Sequence, residues 1–304
     1  MSNTMPPLPS DDPFATPCFY YGAISVVWCW YEVELDLLDD YLDGLGMKAG
    51  VFDGKGLVNF SFMNATSLFG SGSLSDPCND APYNPGGSVF NETELNIVAY
   101  AKARENDVPD DLSAIDYIFG ADQSKNLGVY RLHVACDNQH AIDAGKKYYY
   151  ENKFLTFYKY TAPNLNRKVQ KQIETDNQWK IHCFSDDAPD APRIYKAKID
   201  VRHQHFHEAN ASEIIDISYD TKRGRVLGSR RNFFGMHSVA LLTGKHKAKV
   251  KVTIGPGGEG ITPDGQQMLD DMKRLIEGRD AIAVQKFESP TCLAEAIPYY
   301  MDQI

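Results

Sequence analysis

The sequence has no long unbroken run of basic residues. Lys and Arg total 31 against 41 Asp and Glu, a net charge of −10 at neutral pH. Nucleic acids and anionic membrane surfaces are gripped through Lys/Arg footprints, so neither is expected as a partner. Long apolar runs are missing too. None approaches the roughly 20 residues that cross a bilayer as a helix. The first residues, MSNTMPPLPSDDPFATP, lack the basic start and apolar middle of a secretory signal. They read as a flexible arm over residues 1–16 that docks on a neighbouring copy, in a cytoplasmic homo-oligomer. Cysteine is sparse. Cys18, Cys29, Cys78, Cys136, Cys183 and Cys292 are scattered, with no C-x-x-C pair. That excludes a zinc knuckle or dithiol redox motif and leaves buried free thiols. No internal repeat is visible.

What is present is enough apolar residue, 43% of 304, to bury a large core. YGAISVVWCWYEVEL, LVNFSFM, SVFNETELNIVAYAKA, GVYRLHVAC, KFLTFYKY, WKIHCF, RIYKAKIDVRHQHF, EIIDISYD and HKAKVKVTIG are β-branched and aromatic, and read as strands. Helical spacing is confined to DLLDDYLDGLG and to windows near 138–149 and 264–277. A Gly/Ser/Pro loop, LFGSGSLSDPCNDAPYNPGGS, and a polar excursion over 104–127 separate some strands. Many strands with few helices between them predict an α+β fold, a mostly antiparallel sheet or barrel carrying a few packed helices. Residues 17–304 read as one domain with a C-terminal helical extension after about 256.

The stretch DNQHAIDAGKKYYYENKF holds three lysines. Asp137 or Asn138 can cap a helix. Ala141, Ala144, Gly145 and Tyr148 then share a face and allow close approach to a sheet. Lys146 and Lys147 fall on the solvent side. Lys153 instead opens a strand, in line with Leu155 and Phe157. Burial there would lower its pKa, and a neutral amine can attack a carbonyl. The ordinary reading is a lysine at a strand end that reaches water.

A second constellation is HQHFH. On a continuous strand, His203, His205 and His207 would face the same way as Tyr195, Ala197, Ile199 and Val201. Three imidazoles are a candidate set for zinc or another divalent ion. Same-side residues stand about 6.6–6.8 Å apart along a strand, so a straight strand spreads them too far. The ordinary reading is a polar rim. GPGGEG, over 255–260, lacks the Gly-Lys-Ser/Thr ending of a phosphate loop and reads as a connector. The arginines of RGRVLGSRRNFFG can clamp a carboxylate or pair with surface acids.

The lysine stretch resembles the acetoacetate decarboxylase family, through Asp137, Asn138, Ala141, Ile142, Gly145 and Lys146, with gap-free spacing onto Lys153. FNETEL is similar to the family strand that carries a site glutamate, here Glu92. AKIDVRHQHFHEA and KHKAKVKVTIGP are similar to later strands. The resemblance implies a lyase that uses Lys153 as a Schiff-base nucleophile and Glu92 as proton carrier. Acetoacetate decarboxylase is itself a known example of a lysine activated by desolvation or by a cationic neighbour. Phe90 and Tyr100, which share the Glu92 face, are substrate-binding candidates together with Tyr149 and His207. No cofactor is expected, and the substrate is a small carbonyl compound or keto acid. Three departures imply a changed reaction. Asn152 replaces the family proline, Phe154 replaces a second lysine, and GAISVVWCWYEVE holds no arginine for the carboxylate of acetoacetate. A metal-dependent enzyme built on the three histidines, and a non-catalytic binder on the same scaffold, are the alternatives.

Overall fold

The computed structural model describes residues 18–70, 88–122, 124–163, 177–210, 213–233, 237–289, 293–295 and 299–301. The expected N-terminal arm and residues 71–87 of the Gly/Ser/Pro loop lie outside them. The scaffold is built on an antiparallel meander of β1 (Cys18–Val33), β3 (Gly56–Gly70) and β4 (Ser88–Ala101), with short β2 (Met47–Ala49) on the far edge of β4. Both faces of this sheet are covered, which is why β1 reads as an almost unbroken apolar run. Val27, Cys29, Tyr31 and Val33 enter one core, while Val26, Trp28 and Trp30 enter the other. In β4, Leu95, Ile97 and Ala99 join the first core, and Phe90, Val98 and Tyr100 the second. Strand alternation puts Glu92, Glu94 and Asn96 on the Phe90 side.

The sheet continues from β4 to β5 (Gly128–Cys136), then in parallel to β11 (Glu213–Asp220), and on to β12 (Arg225–Phe233). Three-residue β16 (Leu293–Glu295) pairs with both β12 and β1. The pairings therefore return to their start, in a sheet rolled on itself rather than an evenly closed barrel. β13 (His237–Leu241) and β15 (Ala283–Ser289) extend it beside β1, with β10 (His207–Ala209) at that edge. Parallel pairing occurs at β5–β11 and where β6 (Lys153–Leu155) joins β5.

A second sheet, β14 (Val250–Ile254), β9 (Arg193–Asp200), β8 (Gln178–Phe184) and β7 (Phe157–Thr161), covers the first core. Trp179, Ile181, Tyr195, Ala197 and Ile199 fill that layer together with Met268, Leu269, Met272 and Leu275 of α4 (Pro263–Leu275). Helix α1 (Leu35–Leu42) adds Leu38 and Leu42. Among the described residues, no helix is long and apolar enough to cross a membrane.

Three expectations differ from this architecture. The chain after about 256 is not a helical appendage: α4 lies in the core, and β15 pairs with β1 and β13. KFLTFYKY is not one strand but breaks at Thr156, so Lys153 and Phe157 belong to different sheets. RIYKAKIDVRHQHF ends as a strand at Asp200 and turns through Arg202–Gln204, so the histidines do not continue the Tyr195 face.

Candidate active site

Helix α3 (Gln139–Tyr149) sets the position of Lys153. The Asn138 side chain accepts a hydrogen bond from the Ala141 N–H and caps it. Ala144 and Gly145 are buried, and Lys146 and Lys147 are exposed. Tyr150, left-handed at φ 54°, ends the helix, and the chain turns Glu151 inward before β6 begins. Across the sheet, Glu94, Val134 and Lys153 form one row, and Glu92, Cys136 and Leu155 the next.

Lys153 is only 6% exposed. Its Nζ lies 2.5 Å from Glu92 Oε2 and 3.3 Å from Glu151 Oε2. Burial pulls the ammonium pKa down, but the charges of Glu151 and Glu92 outweigh it and hold the group well above its ordinary value. The lowered pKa expected from burial alone is thus reversed by two acids. Burial is the main influence on Glu92. Lys153 opposes it and Glu94 and Glu151 reinforce it, so the carboxyl is pushed up to about 7.

Behind this pair lies a buried ionic cluster. Arg131 bridges Glu151, Asp216 (2.5 Å) and Glu94 (3.5 Å), while Arg231 contacts Asp216 (2.8 Å) and Glu94 (3.2 Å). Arg131 reaches this face because of a β-bulge. Leu95 pairs with His133 but Asn96 pairs with Arg131, leaving Leu132 as the extra residue. His133 consequently points the other way and meets Asp271 of α4 at 2.6 Å. Asn152 donates to the bulge carbonyl of Leu132 at 2.9 Å and contacts His133 Nδ1 at 3.2 Å.

A narrow cleft with about 50 Å³ of free volume, open to solvent, lies beside the cluster. Trp28, Trp30, Asn59, Glu94, Arg231 and Gln285 help to line it, and Tyr117 and Ile118 of α2 (Ala114–Ile118) contribute from the polar excursion. Lys153 is not among the lining residues.

The sequence candidates disperse. Glu92 meets Lys153, and Phe90 is buried two residues away on the same face. Tyr149 lines a small recess with Arg131, Glu151 and Asp216. Tyr100 lies eight residues along β4 from Glu92, about 26 Å by strand rise, in a surface cleft with Lys48 and Glu105. His203, His205 and His207 lie outside the cleft, His203 and His207 exposed and His205 beside His207. The rings of His205 and His207 stand 4.4 Å apart. No group of three or more His, Cys, Asp or Glu able to hold a metal occurs among the described residues. Glu94, Glu151, Arg131, Asp216 and Asn59 join the site without a motif to announce them. The i+2 spacing of Glu94 from Glu92, and of Lys153 from Glu151, is a usable signal, as is an arginine inside the apolar GVYRLHVAC.

Gly145 is where the helix comes closest. A Cβ there would press on Glu151 Oε2 and stand 2.9 Å from Lys153 Cδ. Gly→Ala in a helix ordinarily stabilises by about 0.5–1 kcal/mol. Here the sign should reverse, and Gly145→Ala is expected to cost about 1–3 kcal/mol by overpacking. Thermal melts of the two proteins check this; an unchanged or raised Tm would contradict the close packing.

No family model matches the chain, and the comparison with curated proteins gives no match. Solved structures do match. The enduracididine biosynthesis enzyme MppR complexed with pyruvate aligns at TM-score 0.55 and 11% identity, over 94% of this chain and 91% of that one. Acetoacetate decarboxylase from Legionella pneumophila aligns at TM-score 0.54 and 12% identity, over 96% and 92%. An acetoacetate decarboxylase-like enzyme from Sphingomonas wittichii aligns at TM-score 0.52 and 10% identity, over 94% and 92%. With a mostly antiparallel rolled sheet and coverage near the full length of each neighbour, the chain has the acetoacetate decarboxylase-like fold.

Proposed function

We propose that this protein is a lyase that acts on a small carbonyl compound, a keto acid or a relative of one, through a Schiff base on Lys153. One observation carries the reading: a buried lysine amine touches a buried carboxyl that titrates near neutrality, Glu92 at about 7. An ammonium cannot attack a carbonyl, so its proton must leave first. Glu92, 2.5 Å away, takes it. The freed amine adds to the carbonyl carbon and gives a carbinolamine. Protonated Glu92 returns the proton to the departing hydroxyl, water leaves, and an iminium remains. That iminium draws electrons from the adjacent bond, the shared requirement of decarboxylation, aldol, dehydration and cyclisation chemistry. The pyruvate complex of MppR supports the substrate class, because a small keto acid is held there in the same fold.

A second reading has an observation of its own. Two carboxylates hold the Lys153 amine protonated, and it does not line the cleft, as suits a non-catalytic binder. Borohydride reduction in the presence of a carbonyl compound separates the two readings, since only a Schiff base leaves a covalent adduct.

The Glu92 shift has a consequence for stability. A carboxyl raised in the fold binds its proton more tightly there than in the unfolded chain. Its contribution is full below the ordinary 4.5 and is lost as pH rises to about 7. Glu92→Gln stays neutral throughout. Melts between pH 4.5 and 7.5 should therefore show the variant gaining on the wild type as pH rises; parallel curves would refute the shift.

A further inference from the structure

Two carboxylates reach the Lys153 amine, and they are not equivalent. Glu92 comes from β4, with its Oε2 2.5 Å from Nζ, and Lys153 is its one ion-pair partner among the described residues. Glu151 comes from the turn before β6. Its Oε2 lies 3.3 Å from Nζ, and its other oxygen is held by Arg131. The backbone fixes Glu151 as well. Tyr150 turns left-handed at φ 54°, and the Glu151 N–H donates to the Gly145 carbonyl at 3.2 Å. One acid is therefore tied down at both main chain and side chain, while the other pairs with the amine alone.

A Schiff-base reaction asks two things of the groups around this nitrogen. Written in full, an ammonium and a carbonyl give an iminium and water. The nitrogen is cationic at the start and again at the end, and neutral only while it attacks. One group must take the proton and return it. Another must keep the product nitrogen protonated, because a neutral imine withdraws electrons poorly. Glu92, whose carboxyl burial pushes up to about 7, suits the first task. Glu151 suits the second. Burial pulls the Lys153 ammonium pKa down, and of the groups whose charge opposes it Glu151 comes first, ahead of Glu92 and Cys136. Cys136, on β5, is itself pushed up by burial and stays a thiol at neutral pH. An opposite charge this close favours the protonated form of amine and imine alike.

Resting on the Schiff-base reading, we infer that Glu151 is a second catalytic carboxylate: anchored by Arg131, it stays against the Lys153 nitrogen and keeps the iminium protonated, while Glu92 carries the proton. The ion pair that keeps the resting amine charged is then the same contact that keeps the electron sink charged.

Two measurements on the full chain test this. The first needs no substrate. In protein labelled with carbon-13 and nitrogen-15 at lysine, the Nζ signal of Lys153 reports its own titration; its loss in Lys153→Arg assigns it. Glu151→Gln should lower the midpoint by about 1 pH unit or more, the scale of losing an opposite charge at this distance. The second uses acetaldehyde and cyanoborohydride, which reduces the iminium and not the neutral imine. The adduct is counted on the peptide containing Lys153. Trapping falls off at alkaline pH, where the nitrogen loses its proton, and in Glu151→Gln this fall should come about 1 unit or more lower. A side chain that only supports the fold would lower the yield at every pH and leave the midpoint in place. Glu151→Asp draws the charge back by one carbon and should shift both curves by a smaller amount; it replaces the glutamine variant if that one does not fold. Coincident Nζ titrations in wild type and variant overturn the assignment, as does a trapping curve that changes only in height. No adduct on Lys153 of the wild type at any pH removes the Schiff-base reading and the iminium role with it. An adduct in the wild type with unmoved midpoints in the variants leaves that reading standing and removes only the role of Glu151.

Discussion

Lys153→Ala is expected to abolish the borohydride-trapped adduct and to lower turnover by on the order of 10⁴-fold or more, the scale of losing a covalent nucleophile. Lys147→Ala should keep both. The contrast follows from where the helix puts the two amines. Lys147 is exposed on α3, on the face turned away from the buried acids. Lys153 sits at the start of β6 between Glu92 and Glu151. Peptide mapping after reduction with a carbonyl substrate should find the added mass on the peptide containing Lys153. Normal turnover without Lys153, or an adduct that moves to Lys147, would remove the mechanism. Retained fold in Lys153→Ala should be checked in parallel, because the substitution takes its cation from buried Glu92 and leaves Glu151 with Arg131 alone.

Arg131→Leu is expected to destabilise the protein by about 3–5 kcal/mol, the cost of stranding buried charges by removing one partner. Arg131 contacts Glu94, Glu151 and Asp216 at once. Without it, three buried acids share Arg231 and Lys153. At about 2–4 °C per kcal/mol for a domain of 150–250 residues, Tm should fall by roughly 10 °C. A Tm within about 2 °C of wild type at pH 7.5 would show that the cluster is not a structural ion network. Arg131→Lys should recover only part of the loss, because an ammonium cannot serve three carboxylates with the fixed fork of a guanidinium.

How far the sequence could be read varied from element to element. The faces of β4 followed from alternation, with Leu95, Ile97 and Ala99 on one side and Phe90 and Glu92 on the other. Helix α3 followed from Asn138 and the Ala144–Gly145 pair, and begins one residue from the expected start. Both signals are local, with periods of two and 3.6 residues. The break at Thr156 was hidden, because KFLTFYKY alternates smoothly while its two halves pair with different sheets. The course of HQHFH was hidden for a related reason: a turn at Arg202–Gln204 carries no glycine or proline to announce it. Glu92 and Lys153 could be named, but their company could not. Asp216 and Arg231 come from strands far along the chain, and only the rolled sheet brings them to Arg131. The direction of the Lys153 pKa turned on Glu151 and Glu92, since burial and these two acids act with opposite sign.

The bulge at Leu132 bears on how this chain should be aligned with distant kin. On a regular strand, Arg131 and His133 would look the same way. The extra residue sends one toward the buried acids and the other toward Asp271 of α4. An ungapped alignment through β5 against a relative without the bulge would equate an inward side chain with an outward one on one side of Leu132. At 10–13% identity such a slip would pass unnoticed. Against a neighbour whose strand is regular here, the gap belongs at Leu132.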